Sequence, residues 1–264
     1  MGVDYYVERG CALQRHLTPP GFLAAMTRRR HAQLFAAREL VIEGRAVQIQ
    51  IPGGALPVHT VRDGQLVETT VTAADLDGEL APWAPRCDGC SARSTDQPFG
   101  CYGFIGYPIR AATEAWLVER AMAMGLGAAV TVNVLDQMGI AGDHVAQLRR
   151  RGRTFFESTE ACRGAWQLGD GSALVVSSDR ILDLALFALP KAFAQLFPLA
   201  AVLLGLVPVE LATVDRIVGW MKFPRSLPPH LVPPPAAAEH QSFVDYFQLL
   251  IATARGGFEL VVDG

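Results

Sequence analysis

Apolar residues alternate with polar ones along several stretches of the chain. "VDYYVE" (3–8) places Val3, Tyr5 and Val7 on one side, and "RAVQIQI" (45–51) does the same with Val47, Ile49 and Ile51. That period of two is the mark of a strand with one buried face. "HTVRDGQLVETTVTA" (59–73) reads as a hairpin about Asp63-Gly64, whose residue types accept the positive φ of a two-residue turn. "AAVTVNVL" (128–135) is apolar almost throughout and reads as a buried strand. "TFFEST" (154–159) predicts a further strand, and "AWQL" and "SALVVSS" predict a pair joined across Asp170-Gly171.

Helical spacing appears between these runs. Phe22, Leu23, Met26, Leu34 and Phe35 follow Thr18 as a capping residue. "IRAATEAWLVERAMAM" (109–124) is closed by Gly125, "GDHVAQLRRRG" (142–152) is stopped by Gly152, and "HQSFVDYFQLLIATAR" leads into a last strand, "FELVV". No strict strand–helix–strand repeat runs through this order. The expectation is therefore α+β: a mixed, mostly antiparallel sheet with flanking helices over residues 1–180.

The pattern changes at Ile181. "ILDLALFALPKAFAQLFPLAAVLLGLVPVELA" is almost wholly apolar, interrupted by Lys191 and by prolines 190, 198 and 208. A membrane span needs about 20 uninterrupted apolar residues, which this segment lacks. The expectation for 181–211 is a buried helical hairpin, or a surface for a protein partner. "FPRSLPPHLVPPPAAAEH" (223–240) predicts an extended proline strap. Residues 181–264 are expected to pack on 1–180 as one unit.

Composition narrows the function classes. With a net charge of −3 over 264 residues, no overall field draws nucleic acid or an anionic membrane. The runs Arg28–Arg30 and Arg149–Arg151, with Arg153, read as solvated helix faces or helix C-termini. The N-terminal stretch has no basic segment followed by an apolar one, so a cytoplasmic protein with reduced thiols is expected.

Against that background the loop 86–108 draws the chemistry. It holds three of the five cysteines. Cys87 and Cys90, two residues apart with Gly89 between, can place both sulfurs on one ion, and Cys101 in "FGCYG" adds a third thiolate. Structural Zn2+ takes four protein ligands. The fourth is expected from Cys11 in "ERGCAL", ahead of His59 and then Cys162, with His16 and His144 as further candidates. The aromatic residues Phe99, Tyr102, Phe104 and Tyr107 would roof the ion. Trp83, Trp116, Trp166 and Trp220 read as core.

Two other chemistries compete. Cys101 precedes the helix at Ile109 and lies near Arg86 and Arg93, so it is a candidate nucleophile. An open metal position could also serve catalysis, in a cleft between the α+β part and the apolar part. The deaminase pattern fails, because Arg86 separates Pro85 from Cys87 and no His-x-Glu precedes it. There is no HExxH, GxSxG or GxxxxGK[ST], and "GLGAAV" (125–130), read as preceding a strand, is no phosphate cradle. Asp75, Asp77 and Glu79 read as a polar turn, and Glu157, Glu160 and Arg163 as surface residues. The sequence thus predicts a cytosolic zinc-binding protein with a structural metal, acting as a binding or regulatory component. An enzyme, or a membrane-active effector that buries 181–211, are the alternatives.

Overall fold

Val3, Tyr5 and Val7 are buried on one face of the first strand, β1 (Gly2–Glu8), as their alternation requires. The computed structural model describes residues 2–8, 39–42, 45–48, 55–62, 65–72, 75, 78, 81–90, 99–167, 169, 171–223 and 226–263. The chain divides into two units, one formed by 11–90 and the other by 1–10 with 91–264.

In the first unit two antiparallel hairpins are formed. β2 (Glu39–Ile42) pairs with β3 (Arg45–Gln48), and β4 (Ala55–Arg62) with β5 (Gln65–Thr72). The register Arg62 opposite Gln65 leaves Asp63-Gly64 as the connection, as their turn chemistry predicts. A 3₁₀ turn, Ala81–Cys87, follows. The helix expected about Phe22–Phe35 lies outside the described residues.

In the second unit β1 is the centre of a three-stranded antiparallel sheet. Its neighbours are β6 (Tyr102–Gly106), within the segment expected to be a loop, and a strand at the chain's far end, Glu259–Asp263. Tyr5 lies opposite Gly103, where a Cβ would come within 2.3 Å of the tyrosine ring. The ring therefore packs closely against the Gly103 backbone, and glycine is the residue that permits it.

α1 (Ala111–Ala123) matches its expected helix, but the next element overturns the reading of 128–135 as a strand. Gly125–Gln137 is a helix, α2, and its buried Ala128, Ala129, Val132 and Leu135 recur at helical spacing. A short apolar run does not distinguish a strand from a fully buried helix, and here packing on several sides decides. Thr131 Oγ1 donates to the Gly127 carbonyl at 2.9 Å, which satisfies the hydroxyl inside the helix. Gly127 itself allows close approach, since a Cβ there would lie 2.3 Å from the Ala212 carbonyl oxygen.

α3 (Asp143–Arg150) agrees with the pattern. "TFFEST" does not become a ladder strand: Phe156 makes a single parallel bridge to Ile109. β7 (Arg163–Gln167) and β8 (Ala173–Ser177) pair antiparallel as expected. α4 (Ser178–Leu182) then runs through a π-helical turn, Asp183–Ala188, into α5 (Phe193–Leu203) and α6 (Val214–Lys222). Leu182, Leu184, Leu189 and Leu199 to Leu204 are buried, so most of the apolar run is interior. Each such leucine contributes about 1.5–3 kcal/mol on leaving water. Among the described residues no single helix is long and apolar enough to cross a membrane; α1 and α2 are both apolar but meet at a 108° bend.

The chain closes with a strap free of helix or strand over 231–237, then α7 (Gln241–Gly256) and β9, the far-end strand paired with β1. α7 packs on the sheet: Tyr246 lies 4.8 Å from the Tyr5 ring, and its hydroxyl donates to the Ala185 carbonyl. The architecture is α+β, with small antiparallel sheets and a larger helical share.

Burial sets an alkaline limit on stability. It pushes the Tyr5 and Tyr246 phenols well above the ordinary range and raises Tyr107 to about 12. The unfolded chain releases these protons near pH 10. Folding stability is therefore intact below about pH 10 and falls above it, with the Tyr107 share lost between about 10 and 12. Urea midpoints should hold up to about pH 10 and fall continuously above it, and a flat profile across that range would refute this. Tyr246→Phe should cost about 0.5–1.5 kcal/mol at neutral pH and give a shallower alkaline decline.

Candidate functional site

Cys87 ends the 3₁₀ turn and is buried; Cys90 is half-buried. Between them the chain makes a tight turn, with the Cys90 N–H donating to the Cys87 carbonyl at 3.2 Å and Gly89 at φ +69°. A hydrogen bond from the fourth residue to the first closes a β-turn and draws the two ends together. The glycine between the thiols is thus required by the backbone, since φ > 0 carries no steric cost there.

Cys101 sits in a second turn of the same kind. The Tyr102 N–H donates to the Phe99 carbonyl at 3.1 Å, and Phe99 holds φ 65°. For a bulky residue that is a strained conformation, which surrounding structure must enforce. The Cys101 carbonyl accepts from the Val7 N–H at 3.1 Å, which anchors the turn to β1. Cys101 is 3% exposed, so its thiol offers little surface to a substrate.

The remaining ligand candidates are placed as follows. Cys11 and His16 lie outside the described residues. His59 is in β4 opposite Glu68. His144, on α3, has Nδ1 3.1 Å from Asp183 Oδ1, and the other oxygen of Asp183 accepts from the Gly142 N–H at 3.1 Å. Cys162 is half-buried; its N–H donates to Ser178 Oγ at 3.1 Å and its carbonyl accepts from the Ser178 N–H at 2.9 Å. Among the described residues no three His, Cys, Asp or Glu side chains form a metal-binding group.

A different constellation was not foreseen. Arg149, expected on a solvated face or at a helix C-terminus, lies in the last turn of α3 and is buried. Its Nε donates to Asp179 Oδ1 at 3.0 Å, and its terminal nitrogens reach Asp179 again, both oxygens of Glu114, and the Ser158 carbonyl at 2.8 Å. Ser178 Oγ donates to Glu114 Oε1 at 2.7 Å, and the guanidinium lies 4.3 Å over the Phe156 ring. Burial works to lower the Arg149 pKa, but the hydrogen bonds and charges of Glu114 and Asp179 outweigh it and raise the value. Every guanidinium nitrogen is used, which marks a tie between elements and leaves no donor for a ligand. The signal was present in the sequence: Arg149 follows Val145 by four residues, on the face that Val145 buries.

Two other polar residues are structural as well. Glu157 Oε2 accepts from the Ala111 N–H at 2.8 Å, closing the start of α1. His240 is buried, stacked at 4.9 Å on Trp116, with Nδ1 3.1 Å from Thr113 Oγ1.

No known protein family, curated protein or solved structure matches the chain.

Removing one partner of the buried network strands the rest. Glu114→Ala should destabilise the protein by about 3–5 kcal/mol, read as a lower denaturant midpoint. Arg149→Met combined with Glu114→Leu and Asp179→Asn should recover much of that loss. A Glu114→Ala cost within experimental error of zero would show that the network carries no net stability.

Proposed function

We propose that the chain is a zinc-binding protein of a reducing, cytoplasmic compartment, with the ion in a structural role and the protein acting as a binding or regulatory component. Cys87, Cys90 and Cys101 supply three thiolates and Cys11 the fourth. The observation that carries the reading is the tight turn from Cys87 to Cys90. It puts two cysteines at the first and fourth positions of a β-turn, with a positive-φ glycine between them. A loop that chelates one ion through both sulfurs needs that local shape, and two thiolates two residues apart are the usual half of a closed zinc site.

The strained Phe99 turn supports the same reading. A positive φ on a phenylalanine costs free energy, and bonds to a metal at Cys101 would offset it. A closed site of four thiolates would leave no open position for substrate, so the role is structural.

Elemental analysis of protein purified with its thiols protected should find about one zinc per chain, since a closed thiolate site holds its ion through purification. Cys87→Ser with Cys90→Ser should abolish that content, and Cys101→Ser and Cys11→Ser should each lower it. Chelation should lower the melting temperature of the wild-type protein and leave the double variant unchanged. Full metal content in the double variant, or none in the wild type after incubation with zinc, refutes the proposal. Iron in place of zinc would appear as visible absorbance from thiolate-to-metal charge transfer and would correct the metal alone.

A further inference from the structure

We infer that Cys87 and Cys90 form a redox-sensing pair, closed to a disulfide by a peroxide and reopened by thiols, and that closure takes both sulfurs from the proposed zinc ion. Loss of the ion rests on the zinc reading; the disulfide stands without it.

The backbone already meets the demand of the bond. A disulfide joins residues whose Cα atoms lie about 4.4–6.8 Å apart. A β-turn brings its first and fourth Cα atoms within about 7 Å. Cys87 and Cys90 hold those two positions, with the Cys90 N–H donating to the Cys87 carbonyl at 3.2 Å. The turn is braced from its start, because the Asp88 N–H donates to the Pro85 carbonyl at 3.2 Å. Gly89 takes φ +69°, and a Cβ placed there would meet nothing within 4 Å. Glycine is required there by backbone conformation alone.

Exposure decides the order of events. Cys87 is 3% exposed and Cys90 half-buried, so an oxidant from solvent meets Cys90 first. The Cys90 thiolate attacks one peroxide oxygen and the O–O bond breaks. The sulfur becomes a sulfenic acid, and the other oxygen leaves as hydroxide, which takes a proton to become water. The Cys87 thiolate then attacks that sulfur. The S–S bond forms, the S–O bond breaks, and a second hydroxide leaves and is protonated. The two sulfurs together give up two electrons, and the peroxide accepts both. A zinc ion deprived of two of its four thiolates no longer has a closed site, and its affinity falls.

Place in the fold separates a sensor from an oxidoreductase. Dithiols that pass electrons to substrates gain reactivity at a helix N-terminus. Cys87 lies at the end of its 3₁₀ turn instead. The pair therefore responds to oxidant, and cellular thiols reopen it by exchange.

Trypsin supplies the readout. Cleavage after Arg86 and Arg93 leaves Cys87 and Cys90 together in "CDGCSAR", apart from the other three cysteines. Full-length protein, zinc-loaded and zinc-depleted, is treated with hydrogen peroxide, alkylated and digested. Mass spectrometry should find this peptide internally disulfide-bonded in both samples, and fully alkylated when dithiothreitol follows the peroxide. The loaded protein should lose its zinc to a colorimetric chelator as the bond forms. Gly89→Val should slow closure about tenfold, through the strain of a positive φ on a β-branched residue. Cys101→Ser should leave closure in the zinc-depleted protein unchanged. A peptide whose thiols both stay open to alkylation after peroxide, Cys90 carried on to sulfinic acid, or either cysteine joined to a different one overturns the inference. So does zinc retained in full beside the closed disulfide. Closure in a protein that never takes up zinc would refute the zinc reading alone and uphold the pair.

Discussion

The guanidinium of Arg149 is the interaction on which the helical unit depends. From α3 it reaches Glu114 on α1, Asp179 on α4 and the Ser158 carbonyl, so one side chain joins three helices and a connecting segment. Two carboxylates against one guanidinium would be costly to bury without hydrogen bonds, and here every guanidinium nitrogen is occupied. Ser178 extends the tie, donating to Glu114 and accepting from the Cys162 N–H. Apolar packing around it is plentiful but unspecific in direction. The network supplies direction, because its bonds form at one relative placement of α1, α3 and α4.

The cysteine turns have a different character. They are local features, each closed by one backbone hydrogen bond and each holding a positive φ, at Gly89 in one case and at Phe99 in the other. Glycine adopts that conformation freely, whereas phenylalanine is held in it by its surroundings. This contrast gives the proposed metal a physical purpose. Bonds to sulfur would stabilise turns that a Gly- and Pro-rich segment orders poorly by itself.

The proline strap packs into the core of its unit. One edge fills the core with Leu231 and Pro234, and Arg255 fixes its carbonyls from α7.

Elements with an unmistakable period were legible from the chain alone. The alternation of Val3, Tyr5 and Val7 placed β1, the Asp63-Gly64 pair placed a hairpin, and helical spacing placed α1, α3 and α7. The close spacing of Cys87 and Cys90 was equally readable, because its consequence is a local turn. The segment 128–135 was not, since an apolar run is compatible with a strand until neighbours surround it, and α2 exists because several elements do. The helix end at Arg149 was legible, but its burial was not, because Glu114 and Asp179 lie 35 and 30 residues away in the chain. Nor could the chain order reveal that β1 pairs with both β6 and the terminal β9. Local periodicity and turn chemistry are properties of neighbouring residues, and the sequence determined those. Partnership across distance depends on which surfaces exclude water together, and only the tertiary structure decided that.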